Sequence, residues 1–172
     1  MNTKLNNLVN ECIKELDNIG VYYGKITEFK VNARFKNTWG RCSKDCNNNT
    51  FTIMINKKLL QNGSDFGIKQ TIIHEMIHTV DGCFNHKAKW KQIADYVNSK
   101  YNYNVKRTNT AVELGVKEED IKADYKYVFK CEKCGQLVCG RRKSKFTVNY
   151  KRFRCAKKIN GTKCFGTFEK IK

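Results

Sequence analysis

The sequence predicts an α+β chain in which a buried central helix packs on a small sheet and a small cysteine-rich module follows. Three observations point there. Residues 65–81 form a helical segment that is apolar around most of its circumference. Two strand-like runs precede it, at 25–35 and 50–55. Five of the nine cysteines fall after residue 124, in a strongly basic tail.

Each element has its own local reason. Leu5, Leu8, Val9, Cys12, Ile13, Leu16 and Ile19 recur at helical spacing and Gly20 stops the run, giving an amphipathic helix laid on the core. Lys25–Phe35 and Thr50–Ile55 read as strands, joined by a Gly- and Asn-rich connection that contains Trp39-Gly40-Arg41-Cys42. Asn62-Gly63-Ser64-Asp65 is a turn with an N-cap, opening a helix to about Asp81. Ile68, Ile72, Ile73, Met76, Ile77 and Val80 cover most of that helix, and Thr71, His74, His78 and Asp81 form one polar stripe. A polar stripe on a buried helix needs partners, and a metal supplies them. A second helix is expected from about His86 through Trp90, Ile93, Ala94 and Val97. The domain expectation is 1–112, an acidic linker or short helix at 113–124, and a basic module at 125–172.

Composition narrows the class. The first twenty residues alternate polar and apolar, with no run suited to a signal peptide, and nowhere do about 18 apolar residues gather to span a bilayer. A cytoplasmic, monomeric protein with no membrane partner is expected. An odd number of cysteines in a reducing compartment favours metal binding or burial over a disulfide framework. The net charge of +18 is uneven. An A+T-rich coding genome would scatter Lys and Asn evenly. Instead residues 125–172 hold 15 Lys/Arg against 2 Asp/Glu, a net +13, and residues 1–124 hold 19 against 14, a net +5. That imbalance points to a polyanion partner, nucleic acid foremost.

His74-Glu75-Met76-Ile77-His78 is an H-E-x-x-H motif on the buried helix. The i, i+4 spacing turns both imidazoles to one face, about 6 Å apart at Cβ, close enough to share a metal. Glu75 flanks that metal as the catalytic base for its water. Zinc suits nitrogen ligands, keeps one position open, and makes amide hydrolysis feasible. Coincidence is the bland alternative, but the chain's only three histidines all lie within 13 residues. His86 is the expected third ligand, because no other histidine remains. Asp81 and Asp95 are rivals, each able instead to hold an imidazole N–H from behind.

Taken in order, these residues resemble the SprT-like family, whose best-known member degrades proteins crosslinked to DNA. The match runs through Trp39-Gly40-Arg41-Cys42 ahead of a strand, Ile72-Ile73-His74-Glu75-Met76-Ile77-His78, His86 with Trp90 four residues on, and a C-terminal cysteine module. It covers about residues 5–172. The resemblance implies a zincin-like metalloprotease domain, three His ligands on a catalytic zinc (His74, His78, His86), Glu75 as base, and endopeptidase activity on DNA-associated or DNA-crosslinked proteins.

In the basic module, Cys131-x-x-Cys134-Gly135 is a metal knuckle; Cys155 and Cys164 would complete a four-cysteine structural zinc site, making a zinc ribbon with short strands around Phe146–Phe153. Cys139 is able to replace one of the four, and Cys42 and Cys46 are assigned to the first domain's core. Arg141, Arg142, Lys143, Tyr150, Arg152 and Phe153 interleave cations with aromatics, as a surface gripping DNA would, single strands preferred. The competing reading makes the aromatics the core of a tiny module and the cations its solvated surface.

Overall fold

The computed structural model describes residues 3–36, 38–117, 119–120 and 125–172. The chain divides into two compact units at 117/118, and no helix among the described residues is long and apolar enough to cross a membrane.

In the first unit, helix α1 (Thr3–Asn18) buries Leu5, Leu8, Val9, Cys12 and Leu16. It ends in a Schellman motif: Gly20 takes φ +69°, the Val21 N–H reaches the Leu16 carbonyl at 3.0 Å and the Gly20 N–H reaches Asp17. Strands β1 (Ile26–Asn32), β2 (Gly40–Asp45) and β3 (Thr50–Asn56) form a sheet of order β1-β3-β2, with β1 parallel and β2 antiparallel to β3. Phe51, Ile53 and Ile55 alternate into the core from the central strand. The Asn56 side chain then accepts from the Lys58 N–H and caps the short helix α2 (Lys57–Asn62).

Helix α3 (Asp65–Ile77) is capped by Ser64, whose hydroxyl accepts from Gly67 at 3.0 Å. Ile68, Ile72, Ile73, Met76 and Ile77 are fully buried, so the helix is enclosed as its composition requires. Helix α4 (Ala88–Tyr101) buries Trp90, Ala94 and Val97 and closes on Asn102, which takes the left-handed conformation.

In this unit four expectations change. The connection around Trp39-Gly40-Arg41-Cys42 is partly strand β2, an edge strand whose polar residues give no alternation to read. Helix α3 stops at Ile77 and not near Asp81; the chain turns there, with the Thr79 N–H and hydroxyl both donating to Met76 O and the hydroxyl accepting from Gly24 N–H. The second helix starts at Ala88, two residues past His86. The linker placed at 113–124 begins inside the first unit: Leu114 and Val116 are buried, and Leu114 O accepts from Ser64 N–H at 3.1 Å. Residues 118 and 121–124 of that stretch lie outside the described residues.

The second unit holds an antiparallel sheet of order β5-β4-β8, from β4 (Tyr127–Cys131), β5 (Leu137–Gly140) and β8 (Phe168–Lys170). A hairpin of β6 (Lys158–Ile159) and β7 (Thr162–Lys163) turns on Asn160-Gly161, both at positive φ. Residues 146–153 are not strands: Ser144 and Thr147 form a capping box that opens helix α5 (Lys145–Asn149), and a 3-10 turn covers Tyr150–Arg152.

Packing of residues 113–117 on the N-terminus of α3 sets a stability test. Leu114 is 1% exposed, and a Cβ on Gly67 would overlap its backbone. Leu114→Ala should destabilise the chain by about 2–5 kcal/mol in a thermal melt. Val112→Ala, at a position 61% exposed, should stay within about 0.5 kcal/mol of the parent. Equal, small effects would mean that this segment is an unpacked linker after all.

Candidate metal centres and catalytic cleft

Helix α3 supplies His74 and His78, and the turn after it supplies His86. The three Nε2 atoms converge, with 74–78 at 3.3 Å, 78–86 at 3.1 Å and 74–86 at 3.0 Å. Zinc–nitrogen bonds of about 2.0–2.1 Å in a tetrahedron would separate ligand nitrogens by about 3.3 Å. The tautomers suit this. The His74 Nδ1–H donates to Lys106 O at 3.0 Å and the His78 Nδ1–H to Cys83 O at 2.9 Å, leaving each Nε2 a lone pair. Burial holds His74 down to about 3, helped by the neighbouring His78 and His86. Burial also lowers His78 and, with the charges of His78 and Arg107, His86. All three rings are therefore neutral at pH 7, as ligands must be. The histidines form a group able to hold a metal ion, and neither Asp81 nor Asp95 joins it. Both aspartates are exposed.

Glu75 is buried on the same helix, next to β2. A Cβ on Gly40 would come within 2.6 Å of its Oε1 and 2.9 Å of Thr71 Cγ2, so glycine is what lets the strand approach the carboxylate. Burial pushes Glu75 up to about 8, against the pull of the Cys42 N–H, which donates to it, and of the Arg41 charge. The Cys42 thiol is itself pushed up to about 12 by burial and by Glu75, so it stays protonated. Cys42 is only half-buried and Cys46 is exposed in the β2–β3 turn, so neither is core. A cleft of about 500 Å³ exposes this centre, lined by residues 38–42 on one side and 106–109 on another.

Trp90, which the sequence placed on the second helix, touches all three imidazoles, stacked on His78 with centroids 5.7 Å apart and edge-on to His74 and His86 at 4.8 Å each. Residues 104–107 were missed outright. They form a wall of the cleft held by distant bonds: Gln70 Oε1 accepts from Asn104 N–H, and the Asn98 side chain pairs with both backbone groups of Val105, at 2.8 and 2.9 Å. No periodic signal could have found them.

In the second unit Cys131, Cys134, Cys155 and Cys164 gather with their sulfurs within 4.8 Å of one another. Cys131–Cys164 is 3.7 Å and Cys134–Cys155 is 3.6 Å. Zinc–sulfur bonds of about 2.3 Å imply sulfurs about 3.8 Å apart in a tetrahedron. The backbone N–H groups of Cys134 and Lys133 point at the Cys131 sulfur, and those of Lys157 and Gly166 at Cys155 and Cys164. Gly166 is required where it is, since a Cβ there would stand 2.5 Å from the Cys131 sulfur. Cys139 lies on β5 outside the group.

The residues read as a DNA surface divide. Arg142, Lys143 and Arg152 are exposed, and Arg141 covers the Tyr125 ring at 4.7 Å. Tyr150 and Phe153 are half-buried against the cysteine core, with Tyr150 4.8 Å from Phe129 and Phe153 5.3 Å from Phe146. Their faces are used in packing, where the sequence reading had them stacking on bases.

A search of curated proteins finds no match. The model of the SprT-like family matches residues 9–110, more than half of the chain, from the middle of α1 past the wall at 104–107. The histidine cluster, Glu75 and the strand beside it all fall within that match, so this chain belongs to the SprT-like family and is of metallopeptidase type.

Proposed function

We propose that the chain is a zinc-dependent metalloendopeptidase with a zincin-like catalytic domain, acting on DNA-associated or DNA-crosslinked proteins, and that its C-terminal unit is a zinc ribbon that binds nucleic acid. The observation that carries the reading is the convergence of three imidazole nitrogens 3.0–3.3 Å apart beside a buried carboxylate. Zinc bound there would acidify a water to a pKa of about 7 and polarise the scissile carbonyl. The chain's own groups do the rest. His74, His78 and His86 would hold the ion, and Lys106 O and Cys83 O fix two of those rings. Glu75 takes the water's proton and passes it to the leaving amine, held in aim by the Cys42 N–H and by β2 against its flank. The four cysteines support a second, closed zinc site. The exposed cations Arg142, Lys143 and Arg152 support phosphate contacts. With Tyr150 and Phe153 engaged in the core, charge is the stronger support for binding DNA.

Metal content tests the ligands. Protein purified without added zinc should carry about two ions per chain. His86→Ala should leave one, whereas Asp81→Asn should keep both. Two ions retained in the His86 variant would end its role as a ligand.

Glu75 yields a pH test with a definite sign. Its pKa of about 8 without metal leaves it mostly protonated at pH 7. A dication beside it favours the carboxylate, so zinc binding at pH 7 should release about one proton from Glu75 on top of those lost by the cysteine thiols and the bound water, read with an indicator dye in weak buffer as the difference from Glu75→Gln. Glu75→Gln should bind zinc, release about one proton fewer than the parent, and lose proteolysis by at least about a hundredfold. Wild-type cleavage by that variant would remove Glu75 as the base.

For DNA, log affinity of the full chain should fall linearly with log salt, by roughly 0.7 per phosphate contact on single strands. Replacing Arg142, Lys143 and Arg152 with Gln should flatten the slope. Binding that ignores salt near physiological ionic strength would make the charge a solubility feature.

A further inference from the structure

The cleft carries three cations, and they are not equivalent. Lys106 is committed to Glu113 at 2.6 Å, and Glu113 in turn accepts from Thr110 N–H. Arg41 lies over the Phe35 ring at 5.1 Å, and its charge is felt by Glu75. Arg107 is exposed, makes no ion pair among the described residues, and acts electrostatically on His86. Its backbone is nevertheless well fixed. It follows Lys106, whose carbonyl holds His74, and Val105, which is clasped by Asn98. A guanidinium without a partner, carried on a segment bonded to a metal-site histidine, is placed to meet something that enters the cleft.

Amide hydrolysis creates that something. Water oxygen bonds to the carbonyl carbon, the π pair of the C=O withdraws onto the carbonyl oxygen, and one water proton passes to Glu75. Collapse of that pair restores the C=O and breaks the C–N bond, and the proton on Glu75 goes to the amine nitrogen. At the tetrahedral carbon the attacking oxygen faces Glu75, so the oxygen that holds the negative charge faces away from it. Arg41 lies on β2, the strand packed against Glu75, whereas Arg107 lies on the 106–109 wall of the same cleft, which His86 also lines. We infer that Arg107 is a further catalytic residue, whose guanidinium donates to the carbonyl oxygen as it gains charge during peptide hydrolysis. This rests on the metallopeptidase reading above. A planar guanidinium serves the role well, since it stays charged at every working pH and can offer two N–H donors to one oxygen's surroundings.

The test compares Arg107→Gln and Arg107→Lys with the parent in the full chain. Arg107→Gln should lower kcat by about 10²–10³-fold, the usual loss for one oxyanion donor. Zinc content should stay at the parent value, and KM should stay within about threefold. Arg107→Lys should recover part of the loss. A readout apart from turnover is binding of a phosphinic peptide, a stable tetrahedral anion. Its affinity should fall about as much as kcat, while binding of the matching substrate peptide in a Glu75→Gln background should hardly move. Several results would overturn the inference: kcat unchanged in Arg107→Gln, zinc lost from both variants, or a loss confined to KM on peptides with acidic side chains. The last would make Arg107 a reader of substrate carboxylates. Active Arg107 variants alongside an inactive Glu75→Gln would sink this inference alone, whereas an active Glu75→Gln would sink the metallopeptidase reading with it.

Discussion

A helix buried on nearly every side must satisfy each polar group it carries, and that constraint on α3 organises the first unit. Thr71 returns its hydroxyl to Gly67 O on its own helix. The others reach outward: Gln70 to the backbone of Asn104, His74 to Lys106 O, Glu75 to the Cys42 N–H, and His78 to Cys83 O. An unpartnered buried polar group costs roughly 1–3 kcal/mol, so each bond ties a separate segment to the helix. Strand β2, the turn after α3 and the wall at 104–107 are all held this way. What the three imidazoles leave unsatisfied is one lone pair each, aimed at a common point. Among the described residues no protein group supplies that point, which is why the polar stripe reads as a metal centre and not as a core network.

The histidines were legible because the signal was local. Two ligands on one helix fix their own geometry through the i, i+4 repeat, and His86 was the one histidine left. Helix α1 and strand β3 were legible for the same reason, each showing its burial as a period along the chain. The walls of the cleft were not. Gly40-Arg41-Cys42-Ser43-Lys44-Asp45 is polar throughout, and becomes a strand only because β3 offers it an edge. Residues 104–107 have no regular structure, and their order comes from Gln70, Asn98 and His74, far away in sequence. Long-range hydrogen bonds leave no periodic trace, so a site is easiest to read where it sits on one element and hardest where elements meet.

In the basic unit the same limit takes another form. Spacing found the four cysteines, although eight residues intervene between Cys155 and Cys164, because the knuckle at Cys131-Cys134 announced them. The aromatics misled. A unit of some fifty residues cannot bury a large core, and small domains commonly lean on a metal to make up the difference. Phe129, Phe146, Tyr150, Phe153 and Phe168 supply most of the apolar surface available to pack around the sulfurs. Cations beside them in sequence remain exposed while these five aromatics pack inside. Interleaved charge and aromaticity, taken for a nucleic-acid surface, is here first the pattern of a core and its solvated shell. A positive field suffices for phosphate without any stacked base.

Charge is arranged in the catalytic cleft with similar economy. Glu75 is the one acid among the described residues that line it, and Arg41, Lys106 and Arg107 stand around it. Glu75 lies deep and His86 is exposed, so the histidine site opens to solvent on its His86 side. Placing a lone carboxylate at the floor raises its pKa and makes it a stronger base once a metal keeps it ionised. Leaving a guanidinium unpaired at the rim costs little in water, because an exposed cation is already solvated. Its worth rises only when a substrate closes over it and displaces that water, at the moment the carbonyl oxygen takes on charge. The two groups therefore do opposite things with burial: the base is tuned by being dry from the start, and the cation by becoming dry during the reaction.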